Sequence, residues 1–189
     1  EVPPTVPHFH ATGEAYETIR EALERNAHVL VSGPSGSGKT YVLEQVCAQS
    51  QRRLVTVSCA DGLTYGALVC ATTLEQQAGA TVTRSRYGAL PLAMRAGAVL
   101  LVDEADQLVP ELAAILHAVM EPDTRRRRLN IPETGETIEA SPGFVVALTC
   151  NGLRAQTGSY HGHRLSGAIL TRTWHAAADY LAPIEEAKL

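Results

Sequence analysis

No stretch of this sequence is long and apolar enough to span a bilayer, which excludes a transmembrane helix. No Cys-x-x-Cys pair occurs either. The four cysteines, Cys47, Cys59, Cys70 and Cys150, each stand in an apolar or strand-like stretch. They read as buried free thiols of a reducing, cytoplasmic compartment, not as a zinc site or a disulfide framework. His161, His163 and His175 are not spaced as a standard metal-ligand set. The opening Glu1-Val2-Pro3-Pro4-Thr5-Val6-Pro7 has neither the charged start nor the apolar core of a signal peptide, and no initiator Met precedes it. Such a start reads as a cut N-terminus or as part of a longer chain. Positive charge is also short. A formal net charge of −4 describes an ordinary protein and argues against a dedicated nucleic-acid binder. No internal repeat is visible.

What is present suffices for one large domain, since 189 residues at 45% hydrophobic can bury a real core. Residues 1–8 read as an extended lead-in, and 13–25 as a helix with Ala15, Ile19, Ala22 and Leu23 on one side. Apolar runs at 28–32, 54–58, 98–102 and 144–149 read as strands, and 174–181 as the last one. Helices are expected at 64–69, 88–96 and 110–120, with a helical turn at 165–170. Residues 71–86, around Gly79, read as a hairpin or an irregular excursion, and a hairpin is expected at 128–139, around Thr134-Gly135. Strands alternating with helices predict an α/β fold whose mostly parallel sheet is covered on both faces.

Gly33-Pro34-Ser35-Gly36-Ser37-Gly38-Lys39-Thr40 matches G-x-x-x-x-G-K-[ST]. It follows the short strand and precedes Tyr41 to Cys47, which reads as an amphipathic helix. This strand–loop–helix context is what a phosphate-cradling loop requires. The glycines let the backbone approach phosphate oxygens, and the helix start adds free amides and the positive end of its dipole. The reading assigns Gly33 to Tyr41 to nucleotide binding. Lys39 reaches the β- and γ-phosphates, and the Thr40 hydroxyl helps to hold Mg²⁺. No guanine-reading motif is evident, but these residues alone do not choose between ATP and GTP.

Val99-Leu100-Leu101-Val102-Asp103-Glu104 is an apolar strand ending in two carboxylates, about where an open α/β sheet gathers its ligands. Asp103 is expected to hold Mg²⁺ through water, and Glu104 is the expected general base toward the attacking water. Asp106, three residues on, reads as a cap or a solvated acid. Asn151 could orient the same water, although before Gly152 the local sequence alone favours a turn. Four consecutive arginines, Arg125 to Arg128, have no aromatic interleaved with them. They read as a solvated or inter-subunit loop, with nucleic-acid contact the less favoured alternative.

Taken with Asn151 and the stretch Leu165 to Arg172, these motifs resemble AAA+ ATPases over about residues 9–183. The MoxR-like branch is most similar, and Thr157-Gly158-Ser159-Tyr160-His161-Gly162 resembles its cobaltochelatase subunit in particular. The resemblance implies a P-loop NTPase three-layer sandwich with a five-stranded sheet and a β-hairpin insertion. It makes Asn151 the sensor of the γ-phosphate and Arg172 the arginine finger that completes a neighbour's site, although Thr173 stands where the family has Phe or Trp. It also implies a ring, usually a hexamer, that hydrolyses ATP with Mg²⁺ to remodel or activate a protein client. An ATP-dependent scaffold with little turnover and a nucleic-acid motor are the alternatives. Because the sequence ends at Leu189, it reads as a single core domain over 1–189 whose helical lid is absent or truncated.

Overall fold

The computed structural model describes residues 1–5, 14–60, 62–77, 80–151 and 165–179. The sheet is built from β1 (His28–Ser32), β2 (Leu54–Ser58), β5 (Val99–Asp103), β8 (Val145–Cys150) and β9 (Thr173–Ala177). Its order is β2-β5-β8-β1-β9, and every pairing is parallel. The expected mostly parallel sheet is therefore wholly parallel. The buried positions of its three inner strands are apolar apart from His28 and Thr149, because a strand covered on both faces has no solvated side to present.

The period of two divides the core into two layers. Val29, Val31, Val99, Leu101, Val145 and Ala147 face one side, against α1 (Glu14–Glu24) and α2 (Lys39–Gln49). Leu30, Leu100, Val102, Val146 and Leu148 face the other, against α4 (Ala89–Ala96) and α5 (Pro110–Val119). Burying each such side chain contributes roughly 1.5–3 kcal/mol. On α1, Tyr16, Ile19, Ala22 and Leu23 form the buried stripe; Tyr16 takes the place predicted for Ala15, which is only partly buried. Pro110 opens α5 at its first turn, where its missing N–H has no helical partner to lose. The helix after the phosphate loop departs from expectation. Lys39, Leu43, Gln45, Val46, Cys47 and Ala48 are all buried, so α2 is covered on more than one face. The lead-in segment contributes to this cover, since Gln45 donates to the Pro4 carbonyl at 3.4 Å.

Outside the sheet lie α3 (Tyr65–Leu68), the pair β3 (Cys70–Gln77) with β4 (Ala80–Tyr87), and the pair β6 (Arg128–Ile131) with β7 (Glu136–Glu139). Both pairs are antiparallel hairpins. Gly79 at the tip of the first lies outside the described residues. The last helix, α6, covers Gly167–Leu170, capped by the Ser166 hydroxyl on the Ile169 N–H. The final strand is shorter than the predicted 174–181: β9 ends at Ala177.

His28, at the start of β1, is 2% exposed, and its Nδ1 accepts the Val146 N–H at 2.9 Å. Burial, reinforced by Arg127, pushes its pKa down to about 3. Between pH 6.5 and about 3 the unfolded chain therefore binds a proton here that the native protein refuses. Stability falls as pH drops through that window, at up to about 1.4 kcal/mol per pH unit from this group. Urea midpoints measured at pH 7.5 and 5 test this. His28→Asn keeps an acceptor for Val146 and is expected to show a flatter pH dependence than the parent.

Candidate nucleotide site

The carboxyl ends of β1, β5 and β8 converge because the three strands are parallel and adjacent. Gly33 leaves β1 with its N–H on the Cys150 carbonyl at 3.3 Å, which ties the phosphate loop to the end of β8. A Cβ on Gly33 would lie 1.9 Å from the Ala178 carbonyl oxygen, so only glycine lets the loop run this close to the chain after β9. Gly38 sits at φ 76° directly before α2, a left-handed value that side chains resist, with open space where a Cβ would stand. Pro34, Ser35, Gly36 and Ser37 form the turn between them, and Tyr41, on the first turn of α2, is 41% exposed.

Lys39 is 7% exposed, and its ammonium donates to Gly33 O at 3.1 Å, Pro34 O at 2.8 Å and Asn151 Oδ1 at 3.0 Å. Three acceptors use its three donors. Thr40 Oγ1 donates to Asp103 Oδ1 at 2.9 Å. The same carboxylate oxygen accepts the Thr149 hydroxyl, and Thr149 Oγ1 in turn accepts the Glu104 N–H at 3.0 Å. Lys39 with Asn151, and Thr40 with Asp103, Thr149 and Glu104, thus form two hydrogen-bonded sets side by side, joined only through the adjacent residues Lys39 and Thr40. The open glycine turn, the ammonium and the oxygen donors of Thr40 and Asp103 fit a nucleotide phosphate chain with a hard divalent cation.

Glu104 adopts φ 54°, ψ 46°, a left-handed conformation that costs a non-glycine residue about 1–2 kcal/mol. Three bonds hold it there: its N–H to Thr149, its carbonyl from the Gln107 N–H at 2.8 Å, and its Oε2 from Gln107 Nε2 at 2.6 Å. The turn it begins, a 3-10 segment at Ala105–Gln107, packs against β8. Asp106 is carried inward by that turn and is 7% exposed, so it is neither a cap nor a solvated acid. Burial pushes its carboxyl above the usual range, opposed by its own N–H, the Asn151 N–H and Lys39, and reinforced by Asp103. Burial, together with Asp106, Asp103 and Glu104, pushes the Cys59 thiol up to about 11 and keeps it protonated.

Thr149, Gln107 and the burial of Asp106 are absent from the reading of the sequence. Only Thr149 carries a signal there, as a polar residue one place before the end of an apolar strand. Arg172, by contrast, is held within its own chain: Nη2 pairs with Glu121 Oε1 at 2.9 Å, and Nη1 donates to Ala168 O at 3.3 Å. The Arg125–Arg128 run is split, with three exposed side chains, as a solvated loop would have, and one interior. Arg127 is 4% exposed, Arg125 and Arg126 pair with Asp123, and Arg128 pairs with Glu139. The loop 157–162 and the candidate lid 183–189 lie outside the described residues.

A wholly parallel sheet with a glycine phosphate loop after one strand and an acid pair at the tip of another defines a P-loop NTPase core of the AAA+ type. The chain belongs to the AAA domain family, dynein-related subfamily, whose sequence model matches residues 28–173. It is 28% identical over 145 residues to Protein CbbQ of Hydrogenophilus thermoluteolus, covering 77% of this chain and 52% of that protein. It is 33% identical over 145 residues to Protein NorQ of Paracoccus denitrificans, covering 77% and 51%. It is 30% identical over 148 residues to the denitrification regulatory protein NirQ of Stutzerimonas stutzeri, covering 78% and 51%. The chain thus spans about half the length of these relatives. A crystal structure of a candidate ATPase from Cytophaga hutchinsonii superposes with a TM-score of 0.63 at 17% identity, over 92% of this chain and 47% of that one, a likeness of fold. The MoxR-like resemblance stands. These relatives are of CbbQ, NorQ and NirQ type, so the finer likeness to the cobaltochelatase subunit is not carried forward. No helix among the described residues is long and apolar enough to cross a membrane.

Proposed function

We propose that this domain binds and hydrolyses ATP with Mg²⁺ as part of a cytoplasmic AAA+ ring, active in the assembled form and not as a lone subunit, and uses the cycle to remodel or activate a protein client. The observation that carries the reading is the pair of neighbouring sets Lys39–Asn151 and Thr40–Asp103–Thr149, which brings candidate phosphate, metal and sensing groups to the carboxyl ends of adjacent strands. In this scheme the amides of Gly33 to Lys39 cradle the phosphates and Lys39 exchanges its carbonyl partners for phosphate oxygens. Thr40 and Asp103 hold the magnesium, which when bound neutralises charge on the phosphate oxygens. Glu104, released from Gln107, accepts the proton of the attacking water, and Asn151 orients that water. Arg172 acts on the neighbouring subunit's nucleotide.

Arg172 also supports the second reading, a scaffold with little turnover, because its guanidinium is engaged by Glu121. Phosphate release that requires Mg²⁺ and rises more than linearly with protein concentration is expected of the ring ATPase; flat, concentration-independent turnover favours the scaffold. Glu121→Gln is the sharper comparison. Half-exposed pairs contribute up to about 1 kcal/mol, so freeing Arg172 is expected to raise turnover at low protein concentration by up to about five-fold. A fall in turnover would show that Glu121 positions the finger instead of restraining it.

A further inference from the structure

Asp106 is the one acid among the described residues whose two carboxylate oxygens are both buried without a hydrogen-bond partner. Removing a carboxylate from water without partners costs several kcal/mol, so its retention at 7% exposure calls for a compensating group. Its surroundings locate it. Lys39, Asp103 and the Asn151 N–H all act on its charge, and Cys59 feels it from the side. The carboxylate therefore borders the space between the phosphate loop, the end of β5 and the end of β8. The Asp106 and Asn151 N–H groups act on the carboxylate without making a hydrogen bond to either oxygen, and the side-chain donors nearby are committed elsewhere. The Lys39 ammonium already serves three acceptors, and the Thr40 and Thr149 hydroxyls both donate to Asp103 Oδ1.

We propose that Asp106 is a second acid of the metal subsite, which accepts hydrogen bonds from the water shell of the magnesium ion and does not ligate it directly. This rests on the Mg²⁺–ATP reading above. Magnesium sheds water reluctantly and keeps several waters when only one or two side chains bind it. Those waters are donors toward the protein, and an acid with vacant lone pairs complements them. Asp103 alone, with one oxygen already shared by two hydroxyls, offers fewer acceptors. Asp106 is thus a positioning residue that orients the hydrated ion, as outer partners orient the ligands of other metal sites.

The test is binding of a fluorescent ATP analogue, titrated with Mg²⁺ and repeated in EDTA, to the parent, Asp106→Asn and Asp106→Ser. Loss of such an outer partner typically costs 10–100-fold in metal affinity. The Mg²⁺ concentration for half-maximal tightening is expected to rise about ten-fold in Asp106→Asn, while affinity in EDTA stays within about two-fold. Its thermal midpoint is expected to equal or exceed the parent's, because the amide removes a buried charge. An unchanged Mg²⁺ midpoint in a folded Asp106→Asn protein overturns the proposal. So does failure of both variants to fold, which would make Asp106 a structural residue. If the parent itself shows no Mg²⁺-enhanced nucleotide binding, the ATPase reading fails first, and that result is distinct from a variant that matches a responsive parent.

Discussion

Glu104→Gln is expected to lower ATP turnover by about two to four orders of magnitude, the range that a positioned general base supplies. Nucleotide binding should change by no more than about two-fold, because the phosphates are held by Lys39 and the loop amides, not by this side chain. The amide keeps the shape of the carboxylate but cannot take the proton of water. The left-handed backbone at Glu104 is held by the Thr149 hydroxyl and the Gln107 N–H, both of which bond to main-chain atoms and survive the substitution. Geometry is therefore preserved while chemistry is removed. Steady-state phosphate release, paired with equilibrium binding of a fluorescent nucleotide, separates the two effects. Turnover within three-fold of the parent would remove Glu104 from the base role.

Arg127→Ala is expected to destabilise the fold by about 3 kcal/mol or more, read as a fall in the urea midpoint at constant m-value. The guanidinium sits beneath the helix-to-hairpin connection and donates to three main-chain carbonyls: Glu121 at 2.8 Å, Phe144 at 2.8 Å and Asn26 at 3.2 Å. Removing it strands acceptors in the interior, each at roughly 1–3 kcal/mol if water cannot replace the donor. Burial already lowers the pKa of Arg127, a sign that the fold tolerates its charge only because these bonds are made. Arg127→Lys should recover only part of the loss, since a point charge cannot fork to three separated carbonyls. Arg125→Ala should leave the midpoint where it was, because Arg125 lies on the surface beside Asp123. Equal effects of the two alanine substitutions would return Arg127 to the surface run in which the sequence places it.

That contrast marks where the linear pattern stops being informative. Arg125 to Arg128 are four identical letters, yet one is interior and three are paired at the surface, and no local rule separates them. The direction of each side chain depends on the 3-10 turn at Thr124–Arg126 and on where β8 begins. Asp106 is a similar case. Acids after a strand are usually solvated, and only the left-handed turn at Glu104 carries this one inward. Thr149 was partly legible, as a hydroxyl in an apolar strand, but its role depends on the parallel neighbour that places Asp103 beside it.

Period-two and period-3.6 apolar patterns, a glycine loop between strand and helix, and an acid pair ending a buried strand were enough to define the α/β class and to single out the residues from which the candidate site is built. They suffice because these signals are local: backbone conformation, side-chain alternation and helix-end amides act within a few residues. The strand order β2-β5-β8-β1-β9, the bonding of Lys39 to Asn151, the capture of Arg172 by Glu121 and the burial of Asp106 and Arg127 belong to the tertiary structure. Each joins residues far apart in the chain, so its energy exists only once the layers have packed.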